Sequence, residues 1–397
     1  MGAARSLGFG GSDGGRVMTQ TALTGRRYQP RPARPGATVS VVIPCYNYAR
    51  YLVEAVDSVL DQAGVDVEVI VVDDASLDDS LAIARKLAAE SDRVRVIANA
   101  ENVGAVETFN RGLAEATGEF LVRLDADDVL TPGSLQRAVA VMQAFPQVGL
   151  VYGHPIHFAG PTLPASRQRP ESWILWAGHE WLAARAIDGT NVITSPEVVM
   201  RRSVVDLTGG QRPLAHTHDM EMWLRLSAYA DVAYIRGADQ AWHREHVGSL
   251  STLAEEPLVI LGEIRDAFTL LFDEVGPLLP GGAELREAAY HAVASEALDQ
   301  ATRLLDRGTR SREVGQLLDF AAQCSPGIRS TREWQRVATR AMADRAPSAM
   351  VAVLRGALPR LRRRMRASRR YARWVRTGDY ERMRLQSGST QTGVGST

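Results

Sequence analysis

From Val39 to Leu124 the chain alternates between short apolar runs and stretches whose apolar residues recur at helical spacing. VSVVIP, VEVIVVDD, VRVIAN and EFLVRL read as strands, and YLVEAVDSVLDQA, DDSLAIARKLAAE and AVETFNRGLAEA as the helices between them. Strands alternating with such helices specify βαβ units and a parallel sheet. The strands lack polar alternation, so helices are expected to cover both sheet faces. The acids in the first turn of the second helix suit its dipole.

Open sheets of this kind bind ligands beyond the C-terminal ends of their strands. There the sequence concentrates its polar residues: Pro44, Tyr46 and Asn47, then Asp73 and Asp74, then Asn99 and Asn102, then Asp125, Asp127 and Asp128. Burying three carboxylates is costly unless a cation or strong donors join them. Asp125 and Asp127, two apart in extended chain, can converge on one point. Oxygen ligands select a hard cation such as Mg²⁺ or Mn²⁺ and leave coordination positions for phosphate oxygens and water. A lone D-x-D is commonly a solvated loop; its place after a buried strand gives this one its weight.

Other constellations are weaker. Receiver domains also hold Mg²⁺ with acids at strand ends, but need a lysine after a later strand, and the sole lysine here, Lys86, lies in the second helix. His216, His218 and Asp219 in HTHD have zinc-ligand spacing, but no further His or Cys completes a tight set nearby. Asp219 opens the helical stretch MEMWLRLSAY, where it reads either as a base or as a plain N-cap.

A chain of 397 residues is expected to form two domains plus tails. Residues 1–38, rich in Gly, Arg and Pro, read as a disordered extension, and Met18 offers an alternative start. Residues 148–246 are irregular; Glu255 to Arg345 reads as helices. No run approaches the roughly 18 apolar residues of a membrane span, and the N-terminus lacks a signal-peptide core. Cys45 and Cys324 form no motif. These features favour the cytoplasm.

The motifs VSVVIPCYN, VIVVDDASLDDS, ENVGAVETFNRGL, GEFLVRLDADD, HDMEMWLRL and HREHVGSLS occur in that order over residues 39–250. Together they resemble the family 2 inverting glycosyltransferases. The resemblance implies a GT-A fold over 39–252, Rossmann-like with a mostly parallel sheet, followed by a helical domain at 253–345 and a tail at 346–397. It implies that Pro44, Tyr46, Asn47, Asp74, Asn102 and Asp125 hold a nucleotide-sugar donor. Asp127, with Asp125 and His246, would bind Mg²⁺ or Mn²⁺, and Asp219 would be the catalytic base. The acceptor would be a glycan or a lipid-linked hydroxyl. Two positions depart from the family: His218 precedes Asp219 where Glu is usual, and Glu221 stands where Asp is usual. The Q-x-x-R-W motif of processive members is absent, which implies a distributive enzyme. A degenerate domain that only binds a nucleotide sugar is the rival that these departures raise. A nucleotidyltransferase is disfavoured because PCYNYARY lacks a Gly-rich basic loop.

The formal net charge of +0 conceals +5 over 1–38, +10 over 355–376 and −15 over 39–343. Between Arg355 and Arg376 ten arginines flank an apolar stripe of Leu354, Leu358, Leu361, Met365, Ala372 and Val375, beside Tyr371 and Trp374. This pattern reads as an amphipathic helix on the anionic inner face of a membrane, before a disordered end. A solvated tail or a nucleic-acid patch is the alternative, and no nucleic-acid partner is expected.

Overall fold

The structure, a computed structural model, describes residues 24–189, 191–246, 256–307, 312–342, 361, 365, 369 and 384–387. In chain order the elements are β1 (Thr24–Tyr28), β2 (Thr38–Cys45), α1 (Ala49–Leu60), β3 (Asp66–Asp73), α2 (Ser80–Glu90), β4 (Val94–Ala98) and α3 (Ala105–Ala114). Next come β5 (Phe120–Arg123), β6 (Val129–Leu130), α4 (Ser134–Ala144), β7 (Val148–Phe158), β8 (Ser172–Trp176), α5 (Gly178–Asp188), β9 (Val199–Arg201) and α6 (Arg202–Thr208). Then follow α7 (His218–Tyr229), β10 (Asp231–Arg244), α8 (Pro257–Val275), α9 (Gly282–Asp306), α10 (Arg312–Cys324), α11 (Arg332–Met342) and β11 (Arg384–Ser387).

One sheet runs β11-β1-β8-β10-β7-β9-β5-β2-β3-β4, with β6 paired to β10. The segment β4-β3-β2-β5 is parallel, as the alternation of strands and helices requires. Beyond β5 the sheet is mixed: β9 runs antiparallel to β5 and β7, while β7 and β10 are parallel. One apolar core joins the sheet to α1, α2 and α4; a second joins the other face to α3, α5, α7 and the C-terminal helices. Leu52, Val56 and Val59 on α1 are fully buried. Each such side chain contributes about 1.5–3 kcal/mol relative to exposure. Helix α3 approaches the sheet through Gly112, where a Cβ would lie 2.4 Å from Val42 and 2.8 Å from Val72.

Three boundaries differ from the sequence reading. The disorder expected over 1–38 does not hold for Thr24–Tyr28, which pairs with β8 as a strand. Its compositional bias hid it, although Arg26, Arg27 and Tyr28 need only extended backbone beside an open edge. The expected disordered end contains β11, which pairs with β1 in parallel. The helices of 253–345 do not build a core of their own: α8, α9 and α10 share one apolar cluster with α5 and α7. Most of the basic segment lies outside the described residues. Within it, Leu361, Met365 and Arg369 are helical and exposed. Among the described residues no helix is long and apolar enough to cross a membrane.

Candidate active site

The parallel strands deliver their polar residues to one sheet edge. Pro44 lies within β2, past its last pairing with β5, where a missing N–H costs the sheet nothing on that side. The loop after β2 turns at Asn47, whose φ of 60° is the left-handed region that Asn tolerates better than most residues. Its side chain accepts from Leu77 N at 2.7 Å, while its own N–H donates to Ser76 Oγ at 3.0 Å. These bonds bind the loop after β2 to the loop after β3. Ala75, in the latter, also has a positive φ of 55°. A non-glycine residue held in that region stores about 1–3 kcal/mol of strain.

Asp74 is buried and accepts from Asn99 Nδ2 at 2.7 Å, Val103 N at 2.9 Å and Gly104 N at 2.9 Å. Burial opposes its ionisation, but these donors prevail and hold its carboxyl below the ordinary carboxylate value. Asp74 thus shapes the loop that carries Asn102. Asn102 and Tyr46 are exposed at this edge.

The carboxylate cluster follows β5. Asp128 is fully buried and accepts from Arg244 N at 2.8 Å and from His243 Nδ1 at 3.1 Å. Burial would lower the His243 pKa, but the Asp128 carboxylate raises it to about 9. Asp125 Oδ1 is paired with Arg123 Nη2 at 2.8 Å. Asp127 Oδ2 meets His246 Nε2 at 2.9 Å. Burial, then Asp128 and Asp125, push the Asp127 carboxyl up to about 8. Asp127, with Asp125 and His246 near it, is the carboxylate of this cluster placed to take part in holding a divalent cation. Among the described residues no group of three His, Cys, Asp or Glu side chains forms a closed metal cage. One or two carboxylates completed by phosphate oxygens are a typical Mg²⁺ arrangement.

Asp219 occupies the second position of α7 and is half-buried. Thr217 takes the N-cap position without a side-chain cap bond, and Asp219 supplies an acceptor to the first turn. Its Oδ1 accepts from Met220 N at 2.6 Å, and Ser195 Oγ donates to its Oδ2 at 3.4 Å. The neighbouring His218 is buried, with Nδ1 3.2 Å from Leu214 O, and burial followed by the charge of Arg123 lowers its pKa. His216 is joined through its backbone to Glu263 on α8. Glu221 is fully buried and bound to Arg225.

Three residues here were not anticipated. Arg123 ends β5 and is buried between Asp125 and Ser195. Arg244 ends β10, donates to Asp127 O at 2.9 Å, pairs with Glu54 and lies over the rings of Tyr51 and Phe158. Ser195 comes from the loop after α5. An arginine inside the apolar run FLVRL was the available signal for the first, and Arg244 lies within HREHVGSLS; Ser195 carried none.

The arrangement is an α/β domain whose parallel strand ends present a buried carboxylate cluster, with the further carboxylate of Asp219 at the start of α7. Residues 40–207 match the glycosyl transferase family 2 model, which marks this part of the chain as a family 2 glycosyltransferase domain. An uncharacterized glycosyltransferase of Nostoc sp. is 45% identical over 115 residues, covering 29% of this chain and 35% of that protein. The EpsE protein of Bacillus subtilis is 32% identical over 197 residues, covering 48% of this chain and 66% of that protein. The chain thus spans less than two thirds of these relatives. Among solved structures, Staphylococcus aureus TarS residues 1–349 in complex with UDP-GlcNAc superposes with a TM-score of 0.55 at 18% identity. That match covers 80% of this chain and 89% of TarS 1–349, and it identifies the fold as GT-A.

Proposed function

We propose that the protein is a metal-dependent, inverting, distributive glycosyltransferase that moves a sugar from a nucleotide-sugar donor to an acceptor hydroxyl. The observation that carries this reading is the position of Asp127, buried at the mouth of the parallel strands beside Asp125 and Asp128, with His246 Nε2 2.9 Å from its Oδ2. The UDP-GlcNAc held by TarS, which shares the fold, supports a nucleotide-sugar donor. Tyr46, Asn47, Asp74 and Asn102 would line the donor's nucleoside, with Pro44 shaping the strand end beneath it, and Asp125, Asp127 and His246 would hold the cation. A bound Mg²⁺ or Mn²⁺ supplies Lewis-acid neutralisation of charge developing on the leaving diphosphate.

Asp219 removes the proton of the acceptor hydroxyl as the new bond forms, a contribution of about 10²–10⁴-fold. One base and one displacement invert the anomeric carbon. His218 packs inward onto Leu214 O, so this departure from the family pattern leaves the face of Asp219 intact. This supports the enzyme over a binding-only domain.

The product is a cell-surface or secreted glycan, a reading supported by the Rhizobium meliloti succinoglycan biosynthesis protein ExoO, 41% identical over 101 residues. The ten arginines of 355–376, with exposed Leu361 and Met365, hold the enzyme on the anionic inner face of a membrane, near a lipid-linked acceptor. The test is a screen of nucleotide sugars with Mn²⁺ or Mg²⁺, reading nucleoside diphosphate release and, by NMR, the anomer formed. Cation-dependent release with inversion is expected. Failure to bind any nucleoside diphosphate, or a retained anomer, overturns the reading.

A further inference from the structure

The geometry points to Arg123 as a positioning residue that aims the base Asp219 through Ser195, and so ties the base to the donor-side carboxylate Asp125. This rests on the reading of Asp219 as the base. The chain of contacts is continuous. Arg123 Nη2 meets Asp125 Oδ1 at 2.8 Å, Arg123 Nη1 donates to Ser195 Oγ at 3.2 Å, and Ser195 Oγ donates to Asp219 Oδ2 at 3.4 Å. The polarity is consistent: the Ser195 hydroxyl accepts from the guanidinium and spends its single proton on the base.

The supports on either side are rigid. Arg123 ends β5, whose preceding residues pair with β9 and β2. The Ser195 loop is closed by Glu197, which accepts from Thr194 N at 2.7 Å and from Thr194 Oγ1 at 2.6 Å. The carboxylate of Asp219 is also anchored by Met220 N, so its second oxygen is the one Ser195 steers.

Arg123 is 4% exposed, so its contacts to Asp125 and Ser195 are shielded from water. A lysine would keep the charge but not the fork that reaches two partners in two directions.

The test compares native full-length protein with Arg123→Lys, Ser195→Ala and the double variant. Hydrogen exchange is read over residues 193–198 and 217–221, with β2 and β3 as internal references. Both single variants are expected to speed exchange at 217–221 at least tenfold and to leave the references unchanged. Calorimetry with UDP and Mn²⁺ follows, and then turnover of a nucleotide sugar that the native enzyme cleaves. Ser195→Ala is expected to keep UDP affinity within twofold and to lower kcat about tenfold, the penalty of a misaimed group. The double variant is expected to be no slower than Arg123→Lys, because both act along one path.

Native exchange rates at 217–221 in Ser195→Ala overturn the proposal, as do multiplicative effects on kcat. An unchanged kcat in Ser195→Ala also overturns it, as does equal loss of UDP affinity and kcat. If the native protein cleaves no nucleotide sugar, the functional reading fails instead. The exchange measurement still decides whether Arg123 and Ser195 order this helix start.

Discussion

Glu221→Gln separates a structural carboxylate from a catalytic one two residues away. Glu221 and Arg225 are each fully buried, with Nε to Oε1 at 2.8 Å and Nη2 to Oε2 at 3.0 Å. Arg225 also donates to the carbonyls of Thr208, Gly209 and Gly210 at 2.6, 3.0 and 2.7 Å, which pins the chain leaving α6 to α7. Glutamine would retain one acceptor but turn an amide N–H₂ toward the guanidinium and leave its charge uncompensated. Breaking a buried pair from one side costs about 3–5 kcal/mol. With a urea m-value of about 3 kcal/mol/M, the midpoint falls by roughly 1 M or somewhat more. Trp223, buried on the same helix, offers a fluorescence reporter. The protein that remains folded keeps its turnover, since Glu221 faces Arg225 and not the carboxylate cluster. A loss below about 1 kcal/mol refutes the packing argument. Loss of turnover in fully folded Glu221→Gln means that the base was assigned to the wrong carboxylate.

Asp219→Asn keeps size and loses basicity; turnover is expected to fall by roughly 10²-fold or more with UDP affinity nearly unchanged, measured by kinetics and calorimetry. The His243–Asp128 pair gives a pH signature. The His243 pKa is raised to about 9, so its stabilisation is full below the unfolded value near 6.5 and lost as pH rises through about 9. The stability gap between native protein and His243→Gln, read by urea melts, is expected to close across that window. Replacing Arg362, Arg363, Arg364 and Arg366 by Gln is expected to abolish co-sedimentation with anionic liposomes at low salt while leaving donor cleavage intact. Binding to nucleic acid instead of liposomes contradicts the membrane reading.

The parallel half of the sheet was legible because each strand there is a short apolar run bounded by turn residues, and β2 through β5 fell where the pattern placed them. The mixed half was not. Strand β7 contains Gly153 and Pro155, and β10 shifts register on either side of Asp239, so neither shows a clean period of two. The short strands β1 and β11 sit in segments whose composition reads as disorder, and only the open edge of β8 explains β1. The site divides the same way. Asp74, Asp125, Asp127 and Asp219 are local signals, each at a strand or helix end. Ser195 acquires meaning only through Asp219, 24 residues away, and the role of Arg244, though it lies in HREHVGSLS, only through Asp127, 117 residues away. The departure at His218 looked functional in sequence, yet its ring turns toward a carbonyl in the chain just before it.

Asp127 and the cation it would hold are central to the proposed chemistry. The most direct measurement is nucleotide-sugar cleavage by the native enzyme across a Mn²⁺ titration after EDTA treatment, run beside Asp127→Ala. The native enzyme is expected to lose activity in EDTA and recover it with Mn²⁺ or Mg²⁺, while Asp127→Ala stays inactive at every concentration with an unchanged circular dichroism spectrum. Full activity of the native enzyme in excess EDTA, or undiminished turnover by Asp127→Ala, contradicts the account.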